Sequence, residues 1–140
     1  MNPLFITGAT GWIGLSILHY LHEALHRDDF RDCIVPFSSC EKIIRIANGD
    51  RSLESKIRVY PLSEIHNVAA GVKHLNLIHA AFLTRDRIHE IGIRRYIDVN
   101  KQITACLCRL LRQNPGTRSV LFSSGAVAEI DGEIIPRETI

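Results

Sequence analysis

The sequence predicts an α/β fold built on a doubly wound, five-stranded parallel sheet. Three observations carry that expectation. Short, nearly continuous apolar runs alternate with helix-period stretches from the first residues onward. The runs lack the polar alternation of a half-exposed strand, which is what a sheet covered on both faces produces. The first run leads directly into a glycine-rich turn and a helix. At 140 residues and 46% hydrophobic, the chain suits one core, so residues 1–140 are taken as one domain.

Leu4-Phe-Ile-Thr7 forms the first strand, cut off by Gly8. From Trp12 to about His26, Ile13, Ile17, Leu18, Leu21 and Leu25 share one apolar arc of a helix. Arg27-Asp-Asp-Phe-Arg-Asp32 is expected as a charged loop, followed by a second strand at Cys33-Ile-Val-Pro-Phe37. The stretch from Ala47 to Lys56 is expected at the surface. Ile57 to Tyr60 is the third strand and Leu75 to His79 the fourth. A long helix then carries Val99, Ile103, Leu107, Leu110 and Leu111 on one face, and Asn114-Pro-Gly116 stops it. Ser119-Val-Leu-Phe-Ser123 is the fifth strand.

Composition narrows the function classes. A net charge of +2 with 23% charged residues gives no basic stripe for nucleic acid or anionic membrane. No apolar run is long enough to span a bilayer, and the start lacks a signal-peptide pattern, so a cytoplasmic protein is expected. The four cysteines contain no Cys-x-x-Cys and read as reduced thiols without a redox or metal role.

The chemistry concentrates in Gly8-Ala-Thr10-Gly11-Trp12-Ile13-Gly14. After a strand and before a helix, the first glycine permits the sharp turn. The second lets the backbone approach a pyrophosphate, and the third lets the helix pack closely on the sheet. Free N–H groups at the helix start then face the phosphates.

The string Thr7-Gly-Ala-Thr-Gly-Trp-Ile-Gly14, spaced GxxGxxG, resembles the extended short-chain dehydrogenase/reductase superfamily, the NAD-dependent epimerase/dehydratase group. His79-Ala80-Ala81 is similar to its cofactor-lining stretch after the fourth strand. Tyr96-Ile-Asp-Val-Asn100 with Thr104 is similar to its Val-Asn helix, and Leu121-Phe-Ser123-Ser124-Gly-Ala-Val127 to its fifth-strand motif. The resemblance implies a Rossmann-type fold, NAD or NADP as cofactor, and hydride transfer at a hydroxyl-bearing carbon of a nucleotide sugar. It makes Ser124 the catalytic hydroxyl. Gly8, Thr10, Gly11, Trp12, Ile13, Gly14, Ala80, Ala81, Asn100 and Ser123 then line the cofactor, with Ser38 and Ser39 at the adenosine ribose. It also allows a homodimer of the full-length protein.

Some positions depart from the family pattern. Ala128 stands where a tyrosine usually follows that valine, and Ser38 where NAD-specific members carry aspartate. The catalytic Tyr-x-x-x-Lys is missing: Tyr20, Tyr60 and Tyr96 are followed four residues on by Ala24, Glu64 and Asn100. Pro136-Arg-Glu-Thr-Ile140 shows no helix stop or final strand, so the expectation is an N-terminal, cofactor-binding part whose sheet and substrate half continue beyond it. A non-catalytic NAD(P)-binding or sensing module is the alternative.

Two further patterns compete. His22-Glu-Ala-Leu-His26 has the HExxH spacing of a zinc helix, but these histidines lie opposite the apolar arc and are expected toward solvent, with no metal. Arg85, Arg87, Arg94 and Arg95, interleaved with Asp86 and Glu90, read as a solvated basic face.

Overall fold

The computed structural model describes residues 2–47, 54–122, 129–130 and 133–134. The elements are β1 (Leu4–Thr7), α1 (Trp12–Ala24), α2 (Arg27–Cys33), β2 (Ile34–Ser38), β3 (Lys42–Ala47), β4 (Glu54–Pro61), α3 (Ile65–Ala69), β5 (Asn76–His79), α4 (Ile88–Ile91), α5 (Ile93–Gln113), β6 (Arg118–Leu121) and the two-residue strands β7 (Glu129–Ile130) and β8 (Glu133–Ile134). Six strands form one sheet in the order β3-β4-β2-β1-β5-β6, and β7 pairs with β8 separately.

Alternation along the strands divides the core into two layers. Leu4, Ile6, Ile34 and Ile78 meet Leu18 of α1 and Phe30 of α2 on one face. Phe5, Val35, Phe37 and Leu77 meet Ile65 of α3 and Leu107 and Leu110 of α5 on the other. β1 lies at the centre, parallel to both β2 and β5. β4 runs parallel to β2, and β6 parallel to β5.

The sheet has six strands rather than five, and it is mixed rather than wholly parallel. The added strand is β3, an antiparallel edge paired with β4 from Lys42↔Val59 to Ala47↔Glu54. Its residues alternate: Ile46 is buried and Ile44 half-buried, while Ile43 and Arg45 face solvent. With Ile43 71% exposed, the run reads as apolar throughout until its two faces are separated. The chain therefore passes from β2 to β4 through a strand, not a helix. β4 also begins at Glu54, inside the segment expected as surface.

The charged loop expected at 27–32 is α2 instead. Asp28 and Asp29 sit in its first turn and Arg31 in its last, each sign placed favourably against the helix dipole. Phe30, 1% exposed, anchors it to the core. α1 ends at Ala24, two residues earlier than expected, because Leu25 turns to extended backbone with its N–H on the Leu21 carbonyl. His22 is buried rather than solvent-facing. Its Nε2 lies 2.9 Å from Ser55 Oγ, and its ring meets Phe30 edge-on at 5.0 Å. α2 and β4 reach the flank of α1 that carries His22, where a polar pair closes the contact, while His19, Glu23 and His26 stay exposed. No helix among the described residues is long and apolar enough to cross a membrane.

Candidate functional site

From β1 the chain crosses through α1 and α2 to β2 on one side, while β5 occupies the other side. The connections diverge at the C-terminal ends of β1 and β5, the place where open α/β sheets form a crevice. Gly8-Ala-Thr-Gly11 lies across it. Ala9 donates its N–H to the Phe37 carbonyl at 3.0 Å, and Ala80 donates to the Thr7 carbonyl at 3.1 Å, so the loop is tied to both neighbouring strands.

The three glycines serve different needs. Gly8 has φ +72°, and a Cβ there would stand 2.5 Å from the Ala80 carbonyl oxygen and 2.8 Å from Ala81 N. A Cβ on Gly14 would overlap the Gly8 carbonyl, so α1 packs against the turn only with glycine there. Gly11 is different. It is the N-cap of α1 at φ −77°, a backbone open to any residue. A Cβ on it would meet one atom, Gly8 O at 3.3 Å. Folding demands glycine at 8 and 14; at 11 it leaves the helix start bare. No side chain caps α1, and its first turn holds no acidic residue. The N–H groups of Trp12, Ile13 and Gly14 precede any intrahelical acceptor and point outward. Such an array receives anions. Thr10 and Ile13 are half-buried, and Trp12 is 84% exposed beside them.

Opposite the loop, Thr7 Oγ1 and His79 Nδ1 are 2.6 Å apart, joining the ends of β1 and β5. His79 is 2% exposed, and burial pushes its pKa below the ordinary histidine value, so the ring is neutral at neutral pH. Its Nε2 has no hydrogen-bond partner among the described residues. Phe82 covers the ring edge-on at 5.1 Å.

Ala80 and Ala81 follow β5 at the crevice, both half-buried. Asn100 turns inward to the loop after them: Oδ1 accepts the Leu83 N–H at 2.9 Å, and Nδ2 donates to the Leu83 carbonyl at 3.2 Å. Its amide is thus a clamp on the loop, while Thr104 donates to the Asn100 carbonyl at 2.9 Å. Phe82, Tyr96, Ile97, Asn100 and Thr104 line an open, largely apolar groove of about 590 Å³.

At the end of β2, Ser38 is buried and donates to the Cys40 carbonyl at 2.7 Å, whereas Ser39 is exposed. Glu41, just beyond, pairs with Arg58 at 2.8 Å. Ser123 and Ser124 lie outside the described residues. Phe122 donates its N–H to the His79 carbonyl at 3.0 Å, continuing the β5–β6 pairing to the crevice.

Sequence reasoning brought Gly8, Gly11, Gly14, Ala80, Ala81 and Asn100 to one region; the structure sets Gly11, Gly14, Ala80 and Ala81 against Gly8, while the Asn100 amide bonds Leu83. It missed the Thr7–His79 pair; the signal was a polar residue ending each of two adjacent apolar strands. The HExxH pattern does not form a two-histidine helical face, since α1 ends before His26, which caps α2 instead. Among the described residues, no group of three or more His, Cys, Asp or Glu could hold a metal ion. No protein-family model, curated protein or solved structure matches the chain.

Proposed function

We propose that this chain is a dinucleotide-binding domain, with the pyrophosphate lying over Gly11 against the uncapped start of α1. Within that class, we assign it as the cofactor-binding part of an NAD(P)-dependent epimerase, dehydratase or reductase of the extended short-chain dehydrogenase/reductase type, acting on a nucleotide sugar. The observation that carries the proposal is where the uncapped start of α1 lies: in the crevice at the C-terminal ends of β1 and β5, behind a turn in which Gly8 and Gly14 admit no Cβ, with Gly11 at an ordinary φ and without a capping side chain. Strand order supports the fold assignment. Numbered among themselves, the five parallel strands run 3-2-1-4-5, as in a Rossmann sheet, with β3 added at the edge.

Bound there, the nicotinamide would supply the hydride acceptor or donor. The chain's residues supply the rest of the cradle. Helix N–H groups face the phosphates, Ala80 and Ala81 leave space beside them, and Asn100 holds the loop behind. Ser124 would orient a substrate hydroxyl.

Trp12 is the one tryptophan and stands at the helix start, so it reports on this loop. Titration with NADH and with NADPH, followed by energy transfer from Trp12 to the reduced nicotinamide, should saturate for at least one of them. No saturable signal with either at millimolar concentration, from a sample that melts cooperatively, overturns the proposal.

A further inference from the structure

A second constellation lies between α3 and α5, away from the glycine loop. Cys106 Sγ is 3.6 Å from His66 Nε2, and His66 Nδ1 is 3.0 Å from Gln113 Oε1. Cys106 and Gln113 are seven residues apart on α5, two helical turns, and so share the face that meets α3. An amide oxygen only accepts, so the proton between His66 and Gln113 belongs to Nδ1. Nε2 is then left bare, and the thiol has two acceptors, Nε2 at 3.6 Å and the Leu62 carbonyl at 3.9 Å, of which only the ring can take up its proton. This is the order nucleophile, base, orienting group.

The geometry points to Cys106 as a base-assisted thiol that reacts with hydroperoxides. Cys106 is half-buried, so a small polar oxidant can reach it while the surrounding core stays packed. Burial pushes its thiol pKa up, and the nearby Arg109 only opposes that effect. The resting sulfur therefore carries its proton, and attack needs a base in contact, the role His66 fills. The Sγ proton passes to His66 Nε2 as the sulfur attacks the distal peroxide oxygen. The S–O bond forms and the O–O bond breaks, and the departing alkoxide or hydroxide takes the proton from Nε2. Sulfur is oxidised by two electrons to a sulfenic acid, and the hydroperoxide is reduced to alcohol or water.

The other cysteines serve as internal controls. Cys108 is exposed on the same helix, Cys40 is exposed after β2, and Cys33 is buried. Simple accessibility therefore predicts that Cys108 and Cys40 react before Cys106. The experiment treats the whole chain with hydrogen peroxide and a sulfenic-acid trap, and measures adduct formation at each cysteine by peptide mass spectrometry. Cys106 is expected to be trapped faster than Cys108, and His66→Asn should slow it about a hundredfold, the low end for lost general-base assistance. Gln113→Ala should slow Cys106 as well, whereas Gln113→Glu, which keeps the acceptor, should restore the rate. Adducts at Cys33 would reveal unfolding in His66→Asn, and the exposed Gln113 pair then decides the matter. Cys106 reacting no faster than Cys108, or at a rate indifferent to both His66→Asn and Gln113→Ala, overturns the inference.

Discussion

Gly11→Asp should make the protein more stable and abolish its dinucleotide binding. At Gly11 the backbone already has N-cap geometry, and the new Cβ meets only Gly8 O at 3.3 Å. The carboxylate can accept from the N–H groups of Ile13 or Gly14, worth a few tenths of a kcal/mol over glycine. Its charge at the helix start adds about 0.3–1 kcal/mol. Loss of glycine's freedom in the unfolded chain adds roughly 0.4–1 kcal/mol, and crowding against Gly8 O subtracts part of this. The net is about 1 kcal/mol. For a chain of 140 residues, unfolding entropy converts that to a rise in Tm of about 3 °C. Binding moves the other way. A carboxylate about 4 Å from a phosphate charge costs about 4 kcal/mol at an effective dielectric of 20, and even with screening the affinity should fall at least about a hundredfold. Differential scanning fluorimetry and the Trp12 titration read the two effects separately. A lower Tm would refute the N-cap geometry; a higher Tm with unchanged NADH and NADPH affinity would refute the phosphate site. Gly14→Ala is the contrasting control, since its Cβ overlaps the Gly8 carbonyl and should cost stability and binding together.

Two other perturbations test the opposite wall of the crevice. Because burial lowers the His79 pKa below its ordinary 6.5, the unfolded state binds more protons in acid, so this ring's contribution is complete above pH 6.5 and is lost as pH falls through the folded value. Urea midpoints between pH 7 and 4 should fall for the wild type and fall less steeply for His79→Gln. Asn100→Ala removes both bonds to Leu83, a loss of about 1–3 kcal/mol. Exchange of the Leu83 amide, by hydrogen–deuterium measurement, should quicken roughly tenfold or more if opening of this loop is local.

The inner strands were legible because their apolar residues report burial directly; β6 forms where a strand was expected, but at the sheet edge Arg118–Leu121 are exposed rather than covered on both faces. Leu4 to Thr7 is buried on both faces, and Asn114-Pro-Gly116 ends α5 as the sequence indicates. β3 was not, because Ile43 is an apolar residue on the solvent side and masks the two-residue period that Ile44 and Ile46 keep. α2 was not, because seven residues with one buried aromatic offer no periodicity; only Asp28 and Asp29 ahead of Arg31 signal the helix. His22 misled in the other direction. A helical wheel shows which residues are apolar, not which neighbours arrive, and Ser55 arrives from a strand 33 residues away. The glycine loop was legible since backbone geometry itself selects Gly8 and Gly14. The Thr7–His79 bond spans 72 residues and follows only from the pairing of β1 with β5.

Departures from local stability rules also have a distribution in this molecule. Gly8 takes a positive φ against the backbone of Ala80, α1 starts without a cap, Trp12 leaves its indole in solvent, and His79 keeps a buried Nε2 without a partner among the described residues. An ordinary substitution could recover stability at the start of α1 or at Trp12, but not at Gly8, which admits no Cβ. These features fall at the C-terminal ends of β1 and β5. Uncapped helix starts also occur at α3 and α5, and positive φ at Gly71 and Gly92, so no one of these features marks a site by itself. What sets the crevice apart is their coincidence with close backbone approach: Gly8 and Gly14 admit no Cβ, and the start of α1 lies across the ends of the strands joined by the buried Thr7–His79 pair. Gly11, the glycine of the loop whose Cβ would meet the fewest atoms, is the residue on which the ligand assignment stands or falls.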